Sequence, residues 1–159
     1  MGQLKIQASL SGLNSNDVYK KIGNFKNYNK YVDIVRSISV ENIDQNTSIS
    51  SWEIEFENGI LRWKERDVFE DKDKVIFFEM IEGDIEKFNG YWKIIKNKSG
   101  CQILFFADYD LGINMLNDIL DPIAGNLLLD TIKSILIGLF ENIHITVEEL
   151  KTLSVEEEC

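Results

Sequence analysis

The chain has 159 residues, 27 of them acidic and 17 basic, giving a formal net charge of −10. That length suits one domain with a sizeable core, and the negative excess repels phosphate backbones and anionic bilayers, so nucleic-acid binding is not expected. No amino-terminal segment has the charged-then-apolar form of a signal peptide, and no apolar run approaches the roughly 18 residues of a membrane span, so a cytoplasmic protein without a membrane span is expected.

Cys101 and Cys159 are the two cysteines and His144 the one histidine. They offer neither a disulfide framework nor a metal-ligand motif. No metal site and no cofactor are expected.

Residues 3–10 alternate, with Leu4, Ile6, Ala8 and Leu10 on one face, the pattern of a half-buried strand. Ser11-Gly12 breaks it. Residues 14–25 carry cap candidates in Asn14 and Ser15 and apolar positions at Val18, Ile22 and Phe25, which predicts a short helix. Phe25, Tyr28 and Tyr31 continue at three-residue spacing into a second short helix or turn, where the tyrosines could gate a cavity or anchor the helices to a sheet.

From about residue 33 the period changes to two. Six strands are predicted, near 34–43, 47–57, 60–70, 74–82, 85–96 and 101–111, separated by turn signals such as Asn58-Gly59 and Gly83-Asp84. Links this short make consecutive strands antiparallel neighbours. Asp121-Pro122 then opens a predicted helix running to Lys151, its apolar stripe built from rows that include Leu127, Ile135, Ile143 and Val147, and Leu128, Ile132 and Leu136. Asp130, Lys133, Glu141 and Glu148 mark its wet side, and His144 lies in one of the apolar rows.

The predicted architecture is α+β: a seven-stranded curved antiparallel sheet wrapped around a long C-terminal helix, with two short helices between strands 1 and 2. A single domain covers residues 1–151 and an acidic tail 152–159. A curled sheet and one striped helix bury both apolar faces only against each other, and aromatic side chains between them leave space for a ligand.

Parity sorts the strand residues. Leu61, Trp63, Glu65, Asp67 and Phe69 are assigned inward, because the alternate set Arg62, Lys64 and Arg66 is a cationic stripe. Trp52, Ile54 and Phe56, then Ile76, Phe78 and Met80, then Phe88, Trp92 and Ile94, then Ile103, Phe105, Ala107 and Tyr109 join the inward face. Glu65, Asp67 and Tyr109 are its polar groups, with Thr131 on the helix. Arg36 shares parity with Ile34, Ile38 and Val40, and the parity of that strand is left open.

This order of elements, with Phe25-Lys-Asn-Tyr28-Asn-Lys-Tyr31, Trp52-Glu-Ile-Glu-Phe56, Asn58-Gly59-Ile60-Leu61-Arg62-Trp63, Gly90-Tyr91-Trp92 and Asp110-Leu111-Gly112, resembles the polyketide cyclase and coenzyme Q-binding branch of the START-like, or Bet v 1-like (SRPBCC), helix-grip superfamily. The resemblance covers residues 3–150. It implies a pocket between sheet and terminal helix. In the aromatase/cyclases of that superfamily a poly-β-ketone folds in the pocket, closes by aldol attack and loses water, which requires a base, a donor to the carbonyl and shaping walls. Those enzymes are credited with an inward arginine after the glycine turn; here Trp63, Glu65 and Asp67 hold the inward parity instead, and Arg36 is the candidate substitute.

The residues taken forward are therefore Glu65 and Tyr109 as catalytic candidates, and Trp63, Trp92, Phe78, Phe88, Phe105, Leu128, Thr131 and Arg36 as substrate-binding candidates. The expected partner is a small apolar or aromatic polyketide-like ligand, which an acyl carrier protein would deliver. The competing readings are a non-catalytic carrier of an isoprenoid quinone or lipid, and an interaction module of the ribosome-associated kind.

Overall fold

The computed structural model describes residues 2–56, 59–112 and 121–152, and the side chains of all of these except 121–124 and 152. The Asn58 half of one turn signal, the side chains of the Asp121-Pro122 helix opening and most of the acidic tail lie outside the described residues.

The chain begins with β1 (Gly2–Ser11), α1 (Ser15–Gly23), one 3-10 turn (Phe25–Asn27) and α2 (Tyr28–Tyr31). Asn14 caps α1, its side chain accepting the Asn16 N–H at 2.7 Å, and Val18, Tyr19 and Ile22 form the helix's buried side. Six strands follow: β2 (Val35–Asn42), β3 (Thr47–Phe56), β4 (Gly59–Glu70), β5 (Val75–Gly83), β6 (Lys87–Lys96) and β7 (Gly100–Asp110). They lie within two residues of the boundaries that the period-two pattern predicts.

After α3 (Asp121–Leu139) comes an eighth strand, β8 (His144–Thr152). The sheet order is β2-β3-β4-β5-β6-β7-β1-β8, antiparallel throughout. The expectation of seven strands and a helix to Lys151 is thus corrected. The helix stops at Leu139, a length of 19 residues or about 28 Å at 1.5 Å per residue. A spacing of four residues satisfies a helical row and a strand face equally, so Ile143 and Val147 extended the apparent stripe. The intervening Ile145 and the β-branched Thr146 and Val147 favour the strand, and Glu141-Asn142 form the turn that separates it from α3. Lys133 and Glu148, both assigned to the wet side of one helix, instead pair between α3 and β8 at 2.8 Å.

The sheet's concave face and α3 share one core. Leu128, Ile132, Ile135, Leu136 and Leu139 of the helix are buried in the same cluster as Ile54, Leu61, Ile76, Ile94 and Ile103 of the strands. Curvature has local causes. A β-carbon at Gly90 would stand 1.8 Å from the Phe106 carbonyl oxygen, so β6 approaches β7 more closely there than any other residue permits. The register slips between Lys64 and Glu65, where Ile81 of β5 is left without a partner, and slips again beside Arg36 on β2. Bulges of this kind bend a strand and re-aim the side chains beside them.

Candidate functional site

The inward parity assigned to β3 through β7 is the buried one. Leu61, Trp63, Glu65 and Asp67 alternate with more exposed Arg62, Lys64 and Arg66 along β4. Between this face and α3 lies a cavity lined by Trp52, Trp63, Glu65, Phe78, Phe88, Trp92 and Phe105 from the sheet, and by Leu128, Thr131 and Ile135 from the helix. Its walls interlock. Trp52 and Trp63 are a cross-strand pair with stacked rings 5.3 Å apart and 7° from parallel. Phe105 stacks on Phe78 at 5.6 Å and meets Trp92 edge-on at 4.5 Å. Such ring pairs add to area burial and hold the walls in defined positions.

The space left open to water among these walls is about 30 Å³. That is room for one or two waters, against the roughly 300–1,000 Å³ of a pocket holding a drug-sized ligand. A ligand of that size therefore enters only as α3 and the sheet move apart or the walls change rotamer.

Glu65 is the one ionisable side chain among the described lining residues. It is 4% exposed, and its Oε1 accepts the Trp63 indole N–H at 2.7 Å. Two residues along the same face, Asp67 is 0% exposed. Its Oδ2 accepts the Ser50 hydroxyl at 2.5 Å, and Ser50 Oγ in turn accepts the Trp52 indole N–H at 2.8 Å. Among the described residues, no N–H or O–H donor is directed at Asp67 Oδ1. The two carboxyl groups are neighbours on the same buried face of β4, near enough to act on each other's ionisation. Two acceptors can bond only if one carries a proton, so the empty Oδ1 beside a second carboxyl is explained by a protonated Glu65.

Electrostatics point the same way. Burial, then the Asp67 charge, push the Glu65 carboxyl well above the usual carboxylate range, and the Trp63 N–H opposes this more weakly. Burial also raises Asp67, while hydrogen bonds from Glu65 and Ser50 hold it down. Among the described residues no lysine or arginine forms an ion pair with either group. Tyr28 of α2 feels both charges; burial first, and then Glu65 and Asp67, keep its phenol neutral, and it donates to the Ile22 carbonyl.

The remaining candidates divide. Thr131 lines the cavity, but its hydroxyl donates to the Leu127 carbonyl at 2.8 Å, which leaves its oxygen only as an acceptor. Tyr109 is buried but does not line the cavity: β-carbons placed at Gly2 and Gly125 would stand 2.5 and 2.4 Å from its oxygen, so the hydroxyl sits between β1 and the start of α3. Arg36 is the extra residue of the β2 bulge and is exposed, so the inward arginine that the resemblance called for is not supplied from there. Asp67, assigned to the inward face as one of its polar groups, is fully buried. Ser50 was not singled out, although it shares parity with Trp52 and Ile54; a small polar residue on an aromatic inward face was the available signal. His144 is exposed on β8, away from the helix stripe where it was expected. Tyr31 is exposed while Tyr28 is buried, and neither is among the residues lining the cavity.

A family model described as polyketide cyclase / dehydrase and lipid transport matches residues 13–135, well over half of the chain. The chain belongs to that family. The matched segment of this polyketide cyclase/dehydrase family member ends inside α3, so β8 lies beyond it. No protein with a curated description matches by sequence.

Among solved structures, the chain is similar to TTHA0849 from Thermus thermophilus, with TM-score 0.78, 20% identity and coverage of 85% of this chain and 93% of that one. It is similar to the Zhui aromatase/cyclase from Streptomyces, with TM-score 0.69, 12% identity and coverage of 86% and 88%. A START superfamily protein from Mycobacterium smegmatis gives TM-score 0.69, 11% identity and coverage of 87% and 97%. At these identities the likeness is one of fold, and it is the helix-grip fold. Among the described residues no helix is long and apolar enough to cross a membrane, and no three metal-ligating side chains converge.

Proposed function

We propose that this family member is a cytoplasmic aromatase/cyclase-like enzyme that folds a linear poly-β-ketone between sheet and α3 and promotes aldol closure and loss of water. The observation that carries the reading is one carboxyl, Glu65, set among aromatic walls at the cavity surface. Aldol closure needs a proton taken from carbon and a proton given to oxygen, and dehydration repeats both, so a group held near neutrality in an apolar site suits the task. Trp63, Trp92, Phe78, Phe88, Phe105 and Leu128 would select one fold of the chain, since flat walls favour the conformer whose reacting carbons already lie together. Tyr109 and Arg36 are left out of this scheme for the reasons of position given above.

Purified protein added to a ketosynthase that makes a poly-β-ketone should change the ratio of cyclised products, and Glu65→Gln should abolish the change while the protein remains folded. An unaltered product ratio with wild type overturns the reading.

One observation favours a second reading, a carrier for an apolar molecule such as a quinone or lipid: apart from Glu65 and Thr131, every described lining residue is apolar or aromatic. Organic extraction of the purified protein followed by mass spectrometry separates the two. A stoichiometric quinone or lipid supports the carrier.

A further inference from the structure

We infer that Glu65 and Asp67 act as one proton-sharing unit, in which Glu65 is the cavity-facing acid and Asp67, held by Ser50 and Trp52, is the positioning residue that accepts and returns its proton. As a statement about the cyclisation, this rests on the reading proposed above; as a statement about the buried pair, it rests on the burial and hydrogen-bond partners of the two carboxyls.

The hydrogen-bond directions carry it. Trp52 N–H donates to Ser50 Oγ, Ser50 O–H donates to Asp67 Oδ2, and among the described residues Asp67 Oδ1 is left without a donor in a place that is 0% exposed. From the other side Trp63 N–H donates to Glu65 Oε1. Every fixed donor is thus oriented so that Asp67 is the terminal acceptor and Glu65 still has one oxygen free to bear a proton. A buried carboxylate with an empty oxygen is costly, and a proton on its neighbour removes that cost. Two neighbouring carboxyls with no counter-cation cannot both ionise readily, so the pair titrates as a unit. Tyr28 feels the charge of both carboxyls, and its phenol stays neutral.

The arrangement answers a question the cavity poses. One lining carboxyl has to serve as base and then as acid. When the α-C–H bond of the ligand breaks, its proton passes to Glu65 while the proton already on Glu65 moves to Asp67 Oδ1. Both acids are then neutral and the ligand is an enolate. The enolate carbon attacks the carbonyl carbon, forming the C–C bond, and the resulting alkoxide takes a proton from Glu65 as Asp67 returns its own. The pair is again a monoanion and the ligand a neutral β-hydroxy ketone. Dehydration repeats the cycle: a second α-proton is taken, the C–O bond breaks, and the leaving hydroxide takes a proton from Glu65 and departs as water. No metal, oxidant or outside base enters the balance.

Carbon-13 NMR of the full chain labelled at the Asp and Glu carboxyls, titrated across neutral pH, tests the unit directly. One carboxyl signal should remain in its protonated position at neutral pH and should be missing from Glu65→Gln. In Asp67→Asn, whose amide can donate to Glu65, the Glu65 signal should move to the ionised position. Two signals that both ionise in the ordinary range near pH 4 to 5 would overturn the inference. If the shared proton is seen and product ratios never change, the cyclase reading falls and the pair stands. If products change and no shared proton is seen, the reverse holds. Where turnover is measurable, Asp67→Asn should lower it about a hundredfold or more with little change in KM, and should shift the pH profile, which a merely structural role would not do.

Discussion

Replacing Glu65 with glutamine should flatten the dependence of stability on pH. Folding raises the Glu65 carboxyl above its ordinary value of 4.5. Above that value the unfolded chain releases the proton and the folded chain keeps it, so the folded state binds more protons and stability falls as pH rises, until the folded group itself ionises. One retained proton is worth about 1.4 kcal/mol per pH unit, so the penalty accumulated between about pH 5 and pH 7 is at most roughly 2.7 kcal/mol. Glutamine keeps the shape, and its amide N–H can donate to Asp67 as the protonated acid does, but it has no proton to lose. Urea unfolding at several pH values, on wild type and Glu65→Gln, measures the difference. The general repulsion of a chain with net charge −10 is nearly common to both and cancels. The wild type should lose stability faster by up to the stated slope. Parallel profiles would refute the argument that Glu65 is folded in its protonated form.

Gly90→Ala should destabilise by more than about 3 kcal/mol in a thermal or denaturant melt, because its β-carbon would meet the backbone oxygen of Phe106, which cannot rotate away. Leu128→Ala removes a buried cavity wall and should cost about 2–5 kcal/mol while increasing binding of an apolar fluorescent probe. Ending the chain after Asn142 removes β8 and frees one edge of β1, so amide hydrogen exchange in β1 should accelerate; unchanged protection would mean that residues 144–152 do not pair there.

The sequence was most legible where charge and bulk separate cleanly between the two faces of a strand. On β4 the set Arg62, Lys64 and Arg66 cannot be buried without partners, so Trp63, Glu65 and Asp67 had to point inward. The end of the chain was least legible, because a four-residue spacing is compatible with both periods and only Ile145 and the β-branched Thr146 and Val147 argued for a strand. Bulges were invisible as well. Parity counting carries through β2 as if Arg36 occupied a regular position, whereas the slipped register resets it. Tyr109 shows a further limit: parity tells which face a residue takes, but its place along the strand put it beside Gly2 and Gly125 and away from the cavity. The proton-sharing pair needed coordinates, since an alternating Glu and Asp on one face reads equally well as a solvated rim.

The central claim is that a ligand binds between α3 and the aromatic face with its polar group at Glu65. A crystal structure of the protein with a naphthol, standing for a cyclised aromatic product, tests this most directly. The account predicts the ring between Trp63, Trp92 and Leu128, with its hydroxyl in hydrogen-bonding distance of Glu65 and α3 displaced from the sheet to admit it. A naphthol bound elsewhere, with the space at Glu65 still closed, would contradict it.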